Sequence, residues 1–326
     1  MNARVELGIA IPQTFPGRLV DPQFIRQHLQ RAEALGFHSA WTVEHILGSI
    51  PSLEPLDLLT WASAVTERMK LGSAVLLTGL RSPVHLAKSL ATLDHLSHGR
   101  LIVGVGLGGN PAVYPAYGIS AERRAARFAE GIRLMKQLWT ETRVNFDGEF
   151  WKLKNATMEP KPLQKPHPPI WFGGHHPNAL RRAVELGNGF MGAGSLSTAG
   201  FSEEVKVLRD LLRQAGRDPG SFAFGKRVYI AIDKDRPRAI NRLREWFSAF
   251  YGLPEMAEQV AVWGSPEECI EQLRAVVSAG ARLLLLNPVF DEMEHLGEFA
   301  SVLAPALTKV GDTAGLNERR SETGGY

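Results

Sequence analysis

Residues 70–110 hold two short, almost wholly apolar runs separated by a single amphipathic helix. The first reads Lys70-Leu-Gly-Ser-Ala-Val-Leu-Leu77, Ser82-Pro83 opens the helix, and the second reads Arg100-Leu-Ile-Val-Gly-Val-Gly-Leu-Gly-Gly-Asn110. Apolar runs without alternation mark strands buried on both faces, as in a parallel sheet under helices. The second run ends in Gly104, Gly106, Gly108 and Gly109, where missing side chains let a ligand lie directly on backbone. This is a β-α-β unit with a ligand-sized space at the carboxyl end of a strand.

The same rhythm runs along the chain. Strands are expected at 7–13, 39–45, 71–77, 101–107, 170–173, 189–192, 228–233 and 283–288. Between them, Asp21-Pro22 and Ser82-Pro83 each set a capping oxygen before a proline at the first helical position. Ser265-Pro-Glu-Glu268 is a capping box, and Gly36, Gly187, Gly216 and Gly280 stand where helices should stop. Eight such steps predict a (β/α)8 TIM barrel rather than an open sheet. At 326 residues one barrel over 1–307 accounts for the chain, followed by a Gly, Thr, Arg and Glu tail over 308–326 expected to be disordered.

Two segments interrupt the pattern. Val144 to Trp151 carries a hairpin signal with Asp147-Gly148 as its turn, and an arm with Pro160, Pro162, Pro166, Pro168 and Pro169 follows to residue 169. Residues 236–263 hold extra helix before the last unit. Insertions of this kind sit in barrel loops, where they cover the mouth or form a subunit contact.

Composition narrows the function classes. A hydrophobic fraction of 44% and a charged fraction of 22% are those of a soluble protein with a large core. No apolar run nears the roughly 20 residues that span a bilayer, and no basic-then-apolar leader precedes Leu7, so a cytoplasmic protein is expected. The net charge is only +3 although the pI is 9.0. Arg26, Arg31, Arg123, Arg124, Arg127, Arg181 and Arg182 are scattered along helices without a basic run, which reads as solvated faces rather than a nucleic-acid surface; a few remain available for an anionic small ligand. The one cysteine, Cys269, excludes an internal disulfide and is expected in the core.

Several motifs match only by letter. Gly104-x-Gly106-x-x-Gly109 fits the dinucleotide fingerprint, but Asn110-Pro111 and Pro115 follow where a helix must begin. Gly220-x-x-x-x-Gly225-Lys226 resembles a phosphate loop, yet Arg227 replaces the magnesium-binding hydroxyl and a strand follows. His95 and His98 precede a strand and so belong to the amino-terminal face, which carries stability rather than chemistry. His175 and His176 are neighbours that point to opposite sides, a poor metal pair. No metal site is expected.

Strand two ends Trp41-Thr42-Val43-Glu44-His45. A carboxylate and an imidazole at the carboxyl end of a barrel strand occupy the rim where this fold places catalysis, and both exchange protons. Position alone leaves two readings open: an acid–base pair, or Glu44 paired with a nearby arginine while His45 fills space.

These segments, together with Pro83-Val-His-Leu-Ala-Lys-Ser-Leu-Ala-Thr-Leu-Asp94, Pro160-Lys-Pro162, Pro168-Pro-Ile-Trp-Phe-Gly-Gly174, Trp263-Gly-Ser-Pro-Glu-Glu268 and Ala279-Gly280, resemble the bacterial luciferase-like monooxygenase family over nearly the whole chain. The acidic-His pair resembles the branch that uses the deazaflavin coenzyme F420, with Glu44 where Asp is commoner. The resemblance implies that His45 meets the coenzyme ring, with Glu44 orienting it or acting as the acid. It implies a bulge in strand three with a non-prolyl cis peptide, matched here by Ser73–Ala74. Gly106, Leu107 and Gly108 match backbone that borders the cofactor. Gly173, Gly174 and His175, ahead of a helix near Pro177, match the region receiving its phosphate. Phe15, Trp41, Leu77 and Tyr114 are expected to line an apolar substrate pocket. Two departures stand out: members that oxidise a phosphorylated sugar carry a carboxylate where Gly109 stands, which argues against such a substrate, and the usual Asp-Gly-Trp appears as Asn188-Gly189-Phe190.

The leading expectation is an oxidoreductase moving hydride between F420 and a small organic substrate. The alternatives are an FMN-dependent monooxygenase of the same family working with a separate flavin reductase, a non-catalytic flavin-binding barrel and, more distantly, a metal-dependent barrel hydrolase. Family members are usually dimers, so a homodimer is expected.

Overall fold

The structure, a computed structural model, describes residues 4–17 and 19–308. Its strands are β1 (Glu6–Ala10), β2 (Ser39–Thr42), β3 (Lys70–Ser73), β4 (Leu76–Leu77), β5 (Leu101–Gly106), β6 (Val144–Asp147), β7 (Lys152–Ala156), β8 (Ile170–Phe172), β9 (Gly189–Gly192), β10 (Ala223–Ile232), β11 (Val262–Gly264) and β12 (Leu283–Pro288). Parallel pairing runs β1-β2-β3-β5-β8-β9-β10-β12 and returns to β1. The sheet therefore closes as the eight-stranded barrel expected from the sequence. The helices are α1 (Pro22–Ala34), α2 (Pro55–Val65), α3 (Pro83–Leu96), α4 (Arg124–Thr140), α5 (Pro177–Leu186), α6 (Thr198–Gln214), α7 (Arg236–Tyr251), α8 (Met256–Val260), α9 (Pro266–Ser278), α10 (Glu292–Glu298) and α11 (Ala304–Thr308). No helix among the described residues is long and apolar enough to cross a membrane.

The capping signals act as written. The Asp21 carboxylate accepts from Gln23 and Phe24 N–H, the Ser82 hydroxyl accepts from His85 N–H, and Ser265 and Glu268 form a reciprocal capping box. Cys269 is fully buried, and burial pushes its thiol up to about 12.

The barrel interior is filled by unequal partners. Trp41 and Trp171 meet with ring centroids 5.5 Å apart, surrounded by Ile102, Met191, Leu283 and Leu285. They fit because glycines face them: a Cβ on Gly72 would stand 2.4 Å from the Trp41 ring, and one on Gly225 2.9 Å from Trp171. Large against small on facing strands is how a barrel of this width packs solid.

The structure departs from expectation in three places. Strand seven was expected at 228–233 but runs over the whole of β10, because its first half pairs with β9 and its second half with an unforeseen strand, β11. The hairpin forms, but Asp147 pairs with Lys152, so the turn spans four residues rather than Asp147-Gly148 alone. The Glu130 carboxylate from α4 holds that wider turn by accepting from the N–H groups of Glu149, Phe150 and Trp151. A short 3-10 helix over Pro111–Tyr117, where Pro111 and Pro115 argue against a helix, precedes α4, which begins at Arg124. The tail expected to be disordered lies, past Thr308, outside the described residues.

One core residue is chemically costly. His28 on α1 is completely buried, and neither ring nitrogen has a hydrogen-bond partner. Burial drives its pKa down to about 3, since a charged imidazole would lie in apolar surroundings.

Candidate active site

The bulge between β3 and β4 shapes the carboxyl end of the barrel. Leu71 faces Leu101 and Leu76 faces Val105, five steps on one strand against four on the other. One extra residue is therefore accommodated, and the strand is pushed outward. The cis peptide expected at Ser73–Ala74 lies one bond later, at Ala74–Val75. Ser73 is consequently not a cavity residue. It is buried, and its hydroxyl donates to Gly104 O at 2.9 Å while accepting from Gly104 N–H at 3.0 Å. Gly104 permits this approach, because a Cβ there would stand 1.6 Å from Ser73 O.

The bulge turns Val75 over two further glycines. A Cβ on Gly106 would lie 2.4 Å from Val75 Cγ2, and one on Gly173 3.0 Å from Val75 Cγ1. Ala74, Val75, Gly106, Gly108 and Gly173 thus form a backbone-lined floor to a cavity of about 600 Å³. Its walls include Leu77, Leu107, Phe128, Phe172, Met191 and Tyr251. Its far end holds Gly174, His175, His176 and the start of α5 with Arg182, and Arg124 lines the cavity beside Gly108.

That far end is cationic. The His176 ring accepts from Asn178 N–H and caps α5, whose amino terminus carries partial positive charge. Arg182 makes no ion pair among the described residues, and its Nε is buried without a hydrogen-bond partner. Burial pulls its pKa down, with Glu185 opposing. Arg124 donates to Gly108 O and lies over the Tyr114 ring, again with no carboxylate partner among the described residues. Two guanidinium groups without an ion pair among the described residues thus line one cavity with a helix amino terminus, a combination that suits a phosphate.

The sequence-predicted residues divide. Ala74, Leu77, Gly106, Leu107, Gly108, Gly173, Gly174 and His175 come together on the cavity. Trp41 does not, being in the barrel interior with its indole N–H on Ser39 Oγ. Phe15 is buried in the main core. Tyr114 is buried, its hydroxyl donating to Leu107 O at 2.9 Å, so it braces the loop after β5 from behind. These three are corrected from pocket residues to packing residues: their size made them candidates, and their size is what the core and the loop use.

Glu44 and His45 flank the floor without lining it. The Glu44 side chain is 1% exposed and accepts from Leu77 N–H at 2.6 Å and from Arg81 at 2.9 and 3.1 Å. Burial acts against the Arg81 charge, but Glu44 and Glu54 hold its pKa above the ordinary value. Glu44 therefore fixes the bulge through Leu77, its two oxygens committed to donors. The His45 ring is half-buried, packed over Gly48 and 5.5 Å from the ring of Phe250, whose neighbour Tyr251 lines the cavity.

Sequence reasoning missed Val75, hidden by the misplaced cis bond, and Arg81, Arg227 and residues 191–195, which carry no local motif. Arg124 and Arg182 were read among solvated arginines, with an anionic ligand left open.

Comparison with known proteins follows the same lines. A family model described as luciferase-like monooxygenase matches residues 5–254. An F420-dependent glucose-6-phosphate dehydrogenase of Kineococcus radiotolerans is 31% identical over 328 residues, covering 90% of this chain and 94% of the relative. The crystal structure of monooxygenase RslO1 from Streptomyces bottropensis superimposes with a TM-score of 0.81 at 26% identity, over 92% of this chain and 99% of that one. An F420-dependent secondary alcohol dehydrogenase in complex with an F420–acetone adduct shares the fold, with a TM-score of 0.82 at 21% identity over 93% of this chain and 99% of that chain.

Proposed function

This chain belongs to the luciferase-like monooxygenase family, and from that footing we propose that it is an F420-dependent oxidoreductase acting on a small, largely apolar organic substrate. The observation that carries the reading is a single cavity lined both by Val75, Gly106 and Gly173 and by Arg124, Arg182 and the start of α5. Val75 can pack over those glycines only because they lack a Cβ, so a planar ring would lie on the Ala74–Val75 bulge, while a phosphate would fit beside Arg124, Arg182 and the α5 amino terminus. When bound, deazaflavin supplies two-electron hydride chemistry.

The protein's share is binding, orientation and one proton. Glu44, clamped by Arg81, holds the β4 backbone at Leu77 and so keeps Val75 in place. His45 is assigned the proton transfer, from its place next to Glu44 beyond the end of β2 and beside Phe250. Gly109 opens into free space where a sugar-phosphate enzyme of the family would carry a carboxylate, which favours a neutral carbonyl, alcohol or activated alkene.

Titration of the apoprotein with F420 and with FMN tests this, with tighter F420 binding expected. Tighter FMN binding with oxygen-dependent turnover overturns it in favour of a monooxygenase served by a separate reductase, the reading that the 26% identical monooxygenase supports. His45→Ala should lower kcat by about 10²–10⁴-fold while F420 affinity changes little; unchanged turnover removes His45 from the chemistry, and F420 binding without turnover of any carbonyl, alcohol or activated alkene favours a non-catalytic barrel. We take the working form to be a cytoplasmic homodimer with residues 1–307 as one catalytic unit. A monomeric mass by light scattering refutes the dimer.

A further inference from the structure

Three groups link the barrel wall to the cavity. His175 lines the cavity with about half its side chain exposed, at 48%, and its Nδ1 is 2.7 Å from Glu204 Oε1 on α6. Glu204 is 8% exposed, and its second oxygen, Oε2, is buried with no partner. Lys226 on β10 is 2% exposed, and its Nζ donates to Ala193 O at 2.6 Å and Arg227 O at 2.8 Å. Burial drives the lysine pKa down to about 7, with Arg227 adding to the shift and Glu204 opposing it. No ion pair joins Lys226 to Glu204 among the described residues.

A carboxylate and an ammonium buried in one wall would close on each other if stability alone placed them, since an unsatisfied buried oxygen costs about 1–3 kcal/mol. Here the carboxylate instead spends its bonded oxygen on a histidine at the cavity surface. A carboxylate on Nδ1 fixes that nitrogen as the protonated one, which leaves Nε2 on the side of the ring away from Glu204. We propose that Glu204 is a positioning residue that holds His175 with Nδ1 protonated, so that on ligand binding His175 takes up a proton at Nε2, keeps it, and donates a hydrogen bond through that N–H to a phosphate oxygen of the bound ligand.

The inference rests on the deazaflavin reading and deepens its phosphate end. A phosphodiester does not change its own charge between pH 6 and 9, so any proton taken up on binding belongs to the protein. The charged groups facing His175 are His176 and Arg182 on α5, Glu204 on α6, Lys226 and Arg227 on β10, and Arg124 on α4. The arginines do not titrate in this range, which leaves His175, His176 and Lys226 to be separated by substitution. The bound form holds more protons, so affinity should fall as pH rises through neutrality.

Calorimetry of F420 binding to the whole protein in buffers of different ionisation enthalpy reads that proton directly. Wild type should take up about one proton near neutral pH. His175→Asn should abolish the uptake and weaken binding by about ten- to a hundredfold at pH 6 and far less at pH 9. Lys226→Met and His176→Asn should leave the uptake in place. The deazaflavin chromophore lacking the phosphate should bind without uptake. Glu204→Gln should lose the uptake, and should it fail to fold, Glu204→Gln combined with Lys226→Met removes both buried charges and asks the same question. Uptake that survives His175→Asn, or that accompanies the phosphate-free chromophore, overturns the proposal. Nitrogen NMR of the ligand-free protein tests the dyad by itself: a His175 proton on Nδ1, lost in Glu204→Gln, is expected, and an Nε2–H tautomer in wild type overturns it. Wild type that binds no F420 but shows the Nδ1–H tautomer overturns the coenzyme reading and the phosphate contact together, with the Glu204–His175 pairing left standing.

Discussion

Buried charge is treated in opposite ways at two places in the barrel. At the amino-terminal end Arg100 is 6% exposed, and its five N–H groups go to Ser97 O, Thr66 Oγ1, Met69 O, Ser63 O and Thr66 O. Beside it the Glu33 carboxylate accepts from the N–H groups of Glu67, Arg68 and Met69, and these bonds hold its pKa below the usual range although burial acts the other way. At the carboxyl end Arg182 Nε and Glu204 Oε2 are buried without partners. A satisfied charge ties loops together; an unsatisfied one at a cavity costs stability and waits for a ligand. The contrast teaches where this chain spends polarity on folding and where it spends it on binding.

Arg100→Met should have the largest effect. It strands four carbonyls and a hydroxyl, and a loss of about 3–5 kcal/mol in denaturant unfolding is expected, with F420 affinity of the folded fraction unchanged. A loss under about 1 kcal/mol would break the comparison at its stable end.

His28→Leu should come next, and only in acid. The folded imidazole titrates at about 3 against an ordinary 6.5, so as pH falls below 6.5 the unfolded chain binds the proton first. Wild-type stability is therefore lost progressively from pH 6.5 towards 3, and no such loss occurs above 6.5. At pH 5 the leucine variant should gain about 2 kcal/mol over its relative stability at pH 8. An identical difference at both pH values contradicts the burial of a neutral ring.

The smallest stability effect belongs to Arg182→Met, which should melt within about 0.5 kcal/mol of wild type yet bind F420 about tenfold more weakly. A stability loss matching that of Arg100→Met would make Arg182 structural and erase the difference between the two ends.

Much of this was legible in the residues. Unbroken apolar runs separated by capped helices dictate the closed parallel barrel, because Asp21, Ser82 and Ser265 mark helix starts locally and strands such as Leu283–Pro288 have no polar face. The glycines of β5 announce a bare floor for the same local reason. What failed was long-range. The sequence carries no mark of the one-residue difference that puts the cis bond at Ala74–Val75, since the count depends on how β3 and β4 register against β5. Trp41, Phe15 and Tyr114 look like pocket residues until the facing glycines and the Leu107 carbonyl show what absorbs them. Glu204 and Lys226 lie on different elements, and only the closed barrel brings their charges into one wall.

Binding of F420 to wild type and to Gly106→Val, compared by equilibrium titration under anaerobic conditions, tests the backbone floor most directly. Larger groups at residue 106 must collide with Val75, whose Cγ2 would lie 2.4 Å from even a first carbon, so wild type should bind and the valine variant should lose at least about a hundredfold in affinity while remaining folded. Equal affinity in the two proteins would contradict the account, because the coenzyme ring would then rest somewhere other than on Gly106, Val75 and Gly173.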